Sequence, residues 1–406
     1  MNTMPPTRQR AQNLRIKVID NYTGFQAIEK AWKSLEDRDP QFTVFLSWDW
    51  LSQAFKDNPF RWSVLAAFAP DTGQLVGLLP LKYHLHWSNS RSEFQSELEA
   101  GGRLLFSEYT GFLCDPSYEA AAMQSLAMYL RVMPWSKLSL RYVAQKHRAE
   151  LFCTAFERLG YPVTWKDYRI NKGETDNLVC PKVALPDTFE DYLISNVSTN
   201  TRQSYRRLKR KNFADGAYYF THCDAENFDE DLATLMRFWK DKWNAEKGEA
   251  SAAKVADNFA AVLRAALASD ALFLPVLWRG DTPLGALGHI VDRKAGTMHF
   301  IIAGRDPSAE ETFIGAALHF HSIECAILLG YEFYDFGHGD EPYKFSYGAE
   351  TTKLGYFSIR RPDAHDSNVF DTICTGVALD RIEKFIKTGK TKQARQACRQ
   401  LSDTFN

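Results

Sequence analysis

Three short apolar runs joined by tight turns, then a helical stretch and one more apolar run, fill residues 273–336 and constrain the fold more than any other part of the chain. Phe273–Trp278 and Leu284–Ile290 flank the turn residues Gly280-Asp281, and Met298–Ile302 follows a turn at Lys294–Gly296, so the three read as an antiparallel meander. Ser308-Ala309-Glu310-Glu311 has the Ser-x-x-Glu form of a capping box. Ile314, Ala317, Leu318, Cys325 and Leu328 then keep a helical period up to Gly330, and Tyr331–Phe336 reads as a strand. Antiparallel strands followed by a helix-linked strand imply a mixed sheet covered by helices, in the α/β (α+β mixed sheet) class.

At 406 residues the chain is too long for one ordinary core, so two lobes are expected. The first half supplies its own hairpin, Trp62–Phe68 and Leu75–Leu81 around Pro70-Asp71-Thr72-Gly73, after a polar leader of about a dozen residues and a strand at Leu14–Ile19. Helical patterns at Tyr118–Val132 and His147–Leu159 alternate with strands near Leu138–Val143 and Val163–Tyr168. Ala67–Leu81 and Leu277–Val291 share a hairpin with an Asp-Thr turn, a faint sign of duplication. The polar stretch Asn171–Pro186 sets the expected boundary: a first lobe over 1–180, a second over 181–365, and a helical tail over 366–406 that packs on the second lobe or mediates association. Asp187-Thr188-Phe189-Glu190 reads as another capping box, and Ser198 or Thr199 as the cap of a basic helix reaching Lys211.

A net charge of −1 argues against a dedicated DNA binder. Seven cysteines, with no CxxC pair, suggest neither a disulfide framework nor a zinc site, and no histidine spacing suggests a metal ligand set. With no apolar leader and no membrane-length apolar run, the expected setting is the cytoplasm.

The order of elements after residue 272, with Tyr334-Asp335-Phe336-Gly337 and Gly339-Asp340-Glu341-Pro342-Tyr343-Lys344, resembles the CelD-like branch of the GNAT acyltransferases, to which FemAB-type transferases are related. The resemblance implies two tandem GNAT-like lobes and a pair of parallel strands, Met298–Gly304 and Tyr331–Gly337, that splay apart around a thioester. It implies acetyl-CoA as acyl donor, held by Ile302, Gly304, Arg305, Phe313 and Gly315, with its pyrophosphate at the start of the helix that follows. The sequence here, Arg305-Asp306-Pro307-Ser308, departs from the usual Arg/Gln-x-x-Gly-x-Gly/Ala loop.

Amide formation from a thioester uses a base, carbonyl-polarising donors and an acid. Within the resembling segment Asp335 or Glu341 is the candidate base, His338 or Tyr343 the acid or relay, Lys344 an anion holder, and Asp340 belongs to the same catalytic set. Arg202, Arg206 and Lys209 share one face of the basic helix and are the candidate substrate-binding stripe. The implied activity is acetyl transfer to an amine or hydroxyl of a small molecule or saccharide precursor, related to the cell envelope or an exopolysaccharide. Aminoacyl transfer from aminoacyl-tRNA, and a non-catalytic binding role, are the alternatives.

Overall fold

A computed structural model describes residues 13–362 and 369–405, the side chains of 245–247 excepted. The polar leader and the expected boundary at 365/366 lie outside these residues. The described chain forms two compact units, each a mixed sheet flanked by helices, which is the expected fold class.

The first unit takes the residues up to Leu104, then Tyr109–Lys166, then those from Leu354 onward. Its sheet runs Arg15–Ile19, Trp62–Phe68, Leu75–Ser88, Glu93–Ala100, Lys137–Val143, Gly355–Arg360, Val163–Trp165. On this path, only Glu93–Ala100 and Lys137–Val143 pair in parallel, and the helix Glu119–Leu130 lies between them in sequence. Met123 and Leu126 of that helix, with Phe152 and Phe156 of the helix Lys146–Arg158, close the core over Leu79, Leu98, Leu138 and Phe357. Arg148 is fully buried, its guanidinium donating to both oxygens of Asp39 at 2.6 and 2.7 Å and to Glu119 at 2.6 Å.

The tail packs on this unit rather than on the second lobe. Helices Thr375–Lys387 and Thr391–Phe405 add Ile382, Phe385, Ala397 and Leu401 to the same core. Phe385 meets Trp87 edge-on at 5.2 Å between centroids, so the rings at the ends of the long hairpin give the tail's apolar face its partner.

Elements of the second unit, residues 105–108 and 167–353, are labelled within it. They are β1 (Val179–Ala184), α1 (Phe189–Ser195), α2 (Thr199–Asn212), β2 (Tyr218–His222), α3 (Phe228–Lys247) and α4 (Glu249–Ala268). Next come β3 (Pro275–Arg279), β4 (Thr282–Asp292), β5 (Thr297–Arg305), α5 (Ile314–Leu328), β6 (Phe333–Asp335), α6 (Pro342–Phe345) and β7 (Glu350–Lys353). The sheet order is β2-β3-β4-β5-β6-β1-β7, and on this path only β5 and β6 are parallel. α3 and α4 cover one face through Leu235, Trp239 and Leu263 over Val276, Ala286 and Ile302. α5 covers the other through Ile314 and Leu318 over Leu277 and Leu287, joined by Leu208 of α2.

The two sheets repeat one plan: a leading strand, a three-stranded meander, a helix, a parallel strand, an inserted strand and a closing strand. The inserted strand of each comes from the other half of the sequence. Val179–Ala184 follows the first unit's closing strand yet joins the second sheet, and Gly355–Arg360 follows β7 yet joins the first. Single cuts at 180/181 and 365/366 therefore do not separate the units.

The helix starts also differ. Ser308 does not cap α5: its N–H and hydroxyl both donate to Asp306 at 2.8 and 2.6 Å, closing a turn around Pro307, and α5 begins at Ile314. Thr188, not Asp187, caps α1, while Ser198 caps α2 as expected.

Candidate active site

β5 and β6 share three rungs, Thr297/Phe333, Met298/Tyr334 and His299/Asp335. β5 then runs on to Arg305, while the chain after β6 turns toward β1, Phe336 N–H donating to Pro181 at 2.9 Å and Gly339 N–H to Val179 at 2.8 Å. The register between β4 and β5 shifts at the same level, with Gly288 opposite Ile302 and His289 opposite Phe300. This bulge at Ile301 bends β5 as its partner departs. Gly337 completes the fork: its φ is +66°, and a Cβ there would lie 2.9 Å from the Phe300 carbonyl oxygen. The expected splay is thus present, between the strands that were expected to form it.

On the last shared rung His299 Nδ1 lies 3.1 Å from Asp335 Oδ2, and Asp335 Oδ1 accepts the Gly337 N–H at 2.8 Å. Both side chains are buried. Lys182, opposite Asp335 on β1, sits over the Phe333 ring at 3.7 Å. Its burial lowers the ammonium's pKa, against the raising influence of Asp335 and Asp292.

The loop after the fork is held mostly by its own members. Lys344 is buried and its Nζ donates to the carbonyls of His338 at 2.6 Å and Gly339 at 3.0 Å, with Glu341 at 3.0 Å. Both ring nitrogens of His338 contact Glu108, at 2.9 Å to the carboxylate and 2.7 Å to the carbonyl. Asp340 accepts the Asp176 N–H at 2.8 Å. Of the expected catalytic set, then, Asp335 stands at the fork, Tyr343 is exposed on α6 with its ring 6.1 Å from that of His319, and Lys344, Glu341, His338 and Asp340 hold the loop. His299 was missed, because the register of a parallel pair is not written in either strand.

Behind the fork, on the α5 face, a buried chain joins three rings. His289 Nδ1 donates to the Phe273 carbonyl at 3.1 Å, so its Nε2 accepts from the Tyr334 hydroxyl at 2.9 Å, which in turn accepts from His319 Nδ1 at 3.0 Å. Burial pushes both imidazoles down to about 3, so both are neutral. These histidines are core groups.

The expected donor residues divide by parity along β5. Ile302 packs into the core under α3, and a Cβ on Gly304 would meet the Leu235 carbonyl at 2.8 Å, so both offer backbone rather than side chains. Arg305 is exposed at the strand's end. α5 has no side-chain cap at its N-terminus, and the space where a Gly315 Cβ would stand is open, so the first-turn N–H groups are accessible to an anion.

Beside that terminus a cavity of about 380 Å³ is lined by Arg207 and Lys211 of α2, Phe313 and Ala316 at the start of α5, and Tyr347. The cations facing it are not the expected stripe. Arg202 donates to the Leu193 and Ile194 carbonyls at 3.2 and 3.3 Å, Arg206 pairs with Glu190, and Lys209 meets Glu324 at 3.4 Å. Arg207 and Lys211, four apart, were the pair to single out.

A separate cluster lies where β2 meets the middle of α5. His222 Nε2 and His321 Nε2 are 2.9 Å apart, and Cys325 Sγ is 3.8 Å from the first and 3.6 Å from the second. Burial lowers His321 to about 4 and raises the Cys325 thiol to about 11. His321 and Cys325 hold the i, i+4 spacing of a helical ligand pair, a signal available in the sequence.

Residues 199–345 match the family model described as an acetyltransferase (GNAT) domain. Among solved structures, FemX superposes with a TM-score of 0.57 at 11% identity, over 81% of this chain and 95% of that one. L-PGS from Bacillus licheniformis gives 0.48 at 11% identity over 87% and 95%, and a tandem GNAT protein from the clavulanic acid biosynthesis pathway gives 0.45 at 10% over 87% and 100%. No curated protein matches in sequence. Residues 199–345 are thus similar to a GNAT acetyltransferase domain, and the chain shares its fold with FemX.

Proposed function

We propose that the second unit transfers an acetyl group from acetyl-CoA to an amine or hydroxyl of a small molecule or saccharide precursor, in the manner of the CelD-like branch. The observation that carries this reading is the fork between β5 and β6, with the His299–Asp335 pair on its last rung and an uncapped α5 N-terminus beyond the far end of β5. The N–H groups of that terminus suit the donor's pyrophosphate, and Arg207 and Lys211 its remaining phosphate charge. Beyond His299 the β6-side edge of β5 has no strand partner among the described residues, and its backbone is placed to orient the donor and polarise its carbonyl.

In such a transfer a C–N or C–O bond forms at the acyl carbon as the C–S bond breaks. The acceptor loses a proton and the sulfur gains one. Asp335 holds the Nδ1–H tautomer of His299, which makes Nε2 the nitrogen that takes the acceptor's proton. Tyr343, exposed on α6 in the loop that follows the fork, is the candidate to return a proton to sulfur. The seven free cysteines suit the reducing cytoplasm included in this proposal.

Calorimetric titration with acetyl-CoA and with free CoA is the test, followed by transfer of labelled acetyl to an amino-sugar panel. Saturable binding of both is expected, and no heat from either at high micromolar ligand sinks the reading. Aminoacyl-tRNA is the competing donor that the FemAB relationship brings in. Transfer from labelled aminoacyl-tRNA, with acetyl-CoA inert, would replace the donor named here.

A further inference from the structure

We propose that His222, His321 and Cys325 form a zinc site that fastens the edge strand β2 to the middle of α5. The three ligand atoms lie within 4.8 Å of one another, and each residue directs a nitrogen or sulfur inward. A tetrahedral zinc with Zn–N of about 2.0–2.1 Å and Zn–S of about 2.3 Å needs N···S edges of about 3.6 Å and an N···N edge of about 3.4 Å. The N···S separations of 3.6 and 3.8 Å already have that size. Only the two imidazole nitrogens, at 2.9 Å, must part by about half an ångström to admit the ion.

The surroundings show which ligand moves. The His321 ring lies flat on Phe220, with centroids 3.8 Å apart and planes within 1°, so it is held in place. His222 is exposed and is the last residue of an edge strand, its ring 5.3 Å from that of Phe273, so it is the less confined of the two imidazoles. The neighbouring charges, Glu324 on α5 and Lys209 on α2, pair with each other.

Two histidines and a thiolate leave a fourth position, and the exposure of His222 opens it to water or an exogenous ligand. The N₂S donor set selects borderline and soft divalent ions over magnesium or calcium. The site shares no residue with the fork. Its proposed role is to clamp β2 against the helix whose N-terminus would receive the donor, and it stands whether or not acetyl-CoA is that donor.

The test uses the full chain, reduced and stripped of metal, titrated with Co²⁺. One equivalent is expected, with visible bands of tetrahedral cobalt and a near-ultraviolet thiolate charge-transfer band, both displaced by Zn²⁺. Cys325→Ser should abolish the charge-transfer band and His222→Ala the stoichiometric uptake, while Cys398→Ser, at an exposed cysteine elsewhere, changes neither. X-ray absorption of the zinc-loaded wild type should show two nitrogens and one sulfur, independently of how any variant folds. Wild type that takes up no cobalt, a thiolate band that survives Cys325→Ser, or a zinc shell without sulfur would each overturn the site and leave a hydrogen-bonded histidine pair.

Discussion

Asp335 makes two bonds that serve one geometry. One oxygen holds the His299 ring and the other holds the Gly337 amide, so a single carboxylate orients the proposed base and fixes the backbone where the strands part. Asp335→Asn keeps the size but removes the charge and one of the two acceptors. We expect kcat for acetyl transfer to fall by about 10²–10⁴ with a smaller change in the KM for acetyl-CoA, because the proposed donor contacts do not include Asp335. Steady-state kinetics with both substrates varied decides it, and a KM-dominated effect would point to structural damage instead. His289 and His319 give a second expectation. Folding depresses both from the unfolded value of about 6.5 to about 3, so between those values the unfolded chain binds more protons than the folded one. Stability is therefore full above about pH 6.5 and falls as the pH drops toward 3, by up to about 1.4 kcal/mol per pH unit for each histidine. Urea midpoints between pH 7.5 and 5 measure the slope, and a flat profile would contradict it. The sequence disclosed the carboxylate, since Asp335 ends a readable strand before Gly337. It could not disclose His299, 36 residues earlier, because only the register of the parallel pair joins them.

At the scale of elements, α2 and the β5–β6 fork show which readings period alone supports. The basic helix was legible to its cap at Ser198, but its working face was not. A charge stripe at i, i+3 and i+4 exists on several faces of so basic a helix, and the side that meets α5 is chosen by the apolar contact of Leu208, not by the charges. Replacing Arg207 or Lys211 with Ala should weaken acetyl-CoA binding by about 10- to 100-fold each, the worth of one charged hydrogen bond. Arg206→Ala and Lys209→Ala, whose partners are Glu190 and Glu324, should change it less than threefold or so by the same argument. Dissociation constants from calorimetry separate the pairs, and equal losses at all four positions would remove the cavity from the donor site. The fork itself rests on Gly337. With φ at +66° and the Phe300 carbonyl 2.9 Å from any Cβ, Gly337→Ala should cost about 1–3 kcal/mol in denaturant unfolding. The turn at Asp306–Ser308 shows the opposite error: a correct local motif, Ser-x-x-Glu, was outcompeted by an Asp side chain two residues upstream.

For the whole molecule, the decisive fact is that each sheet borrows a strand from the other half of the sequence. Val179–Ala184 and Gly355–Arg360 are six-residue strands without a clean apolar–polar alternation, and nothing in either run names the sheet it joins. Lobe number was therefore legible and lobe boundaries were not. The same limit hid the destination of the tail, whose helices are plainly amphipathic but whose receiving surface is built from Trp87 and Phe94, about 300 residues earlier. That placement has a measurable consequence. A chain ended after Arg361 keeps Gly355–Arg360 but loses Phe370, Ile382, Phe385 and Leu401 from the first unit's core. At about 1.5–3 kcal/mol for each large buried apolar side chain, the loss is of order 6–12 kcal/mol, which matches the entire stability of a typical domain of about 5–15 kcal/mol. The shortened protein should lose the first unit's cooperative unfolding transition while the second unit, whose three-layer packing of α3, α4, sheet and α5 uses no residue beyond Lys353, retains its own. Near-ultraviolet circular dichroism and tryptophan emission during thermal unfolding report mainly on the first unit, which holds Trp32, Trp50, Trp62 and Trp135 among its buried rings. An unchanged tryptophan transition in the shortened chain would show that the tail only decorates a core able to stand without it.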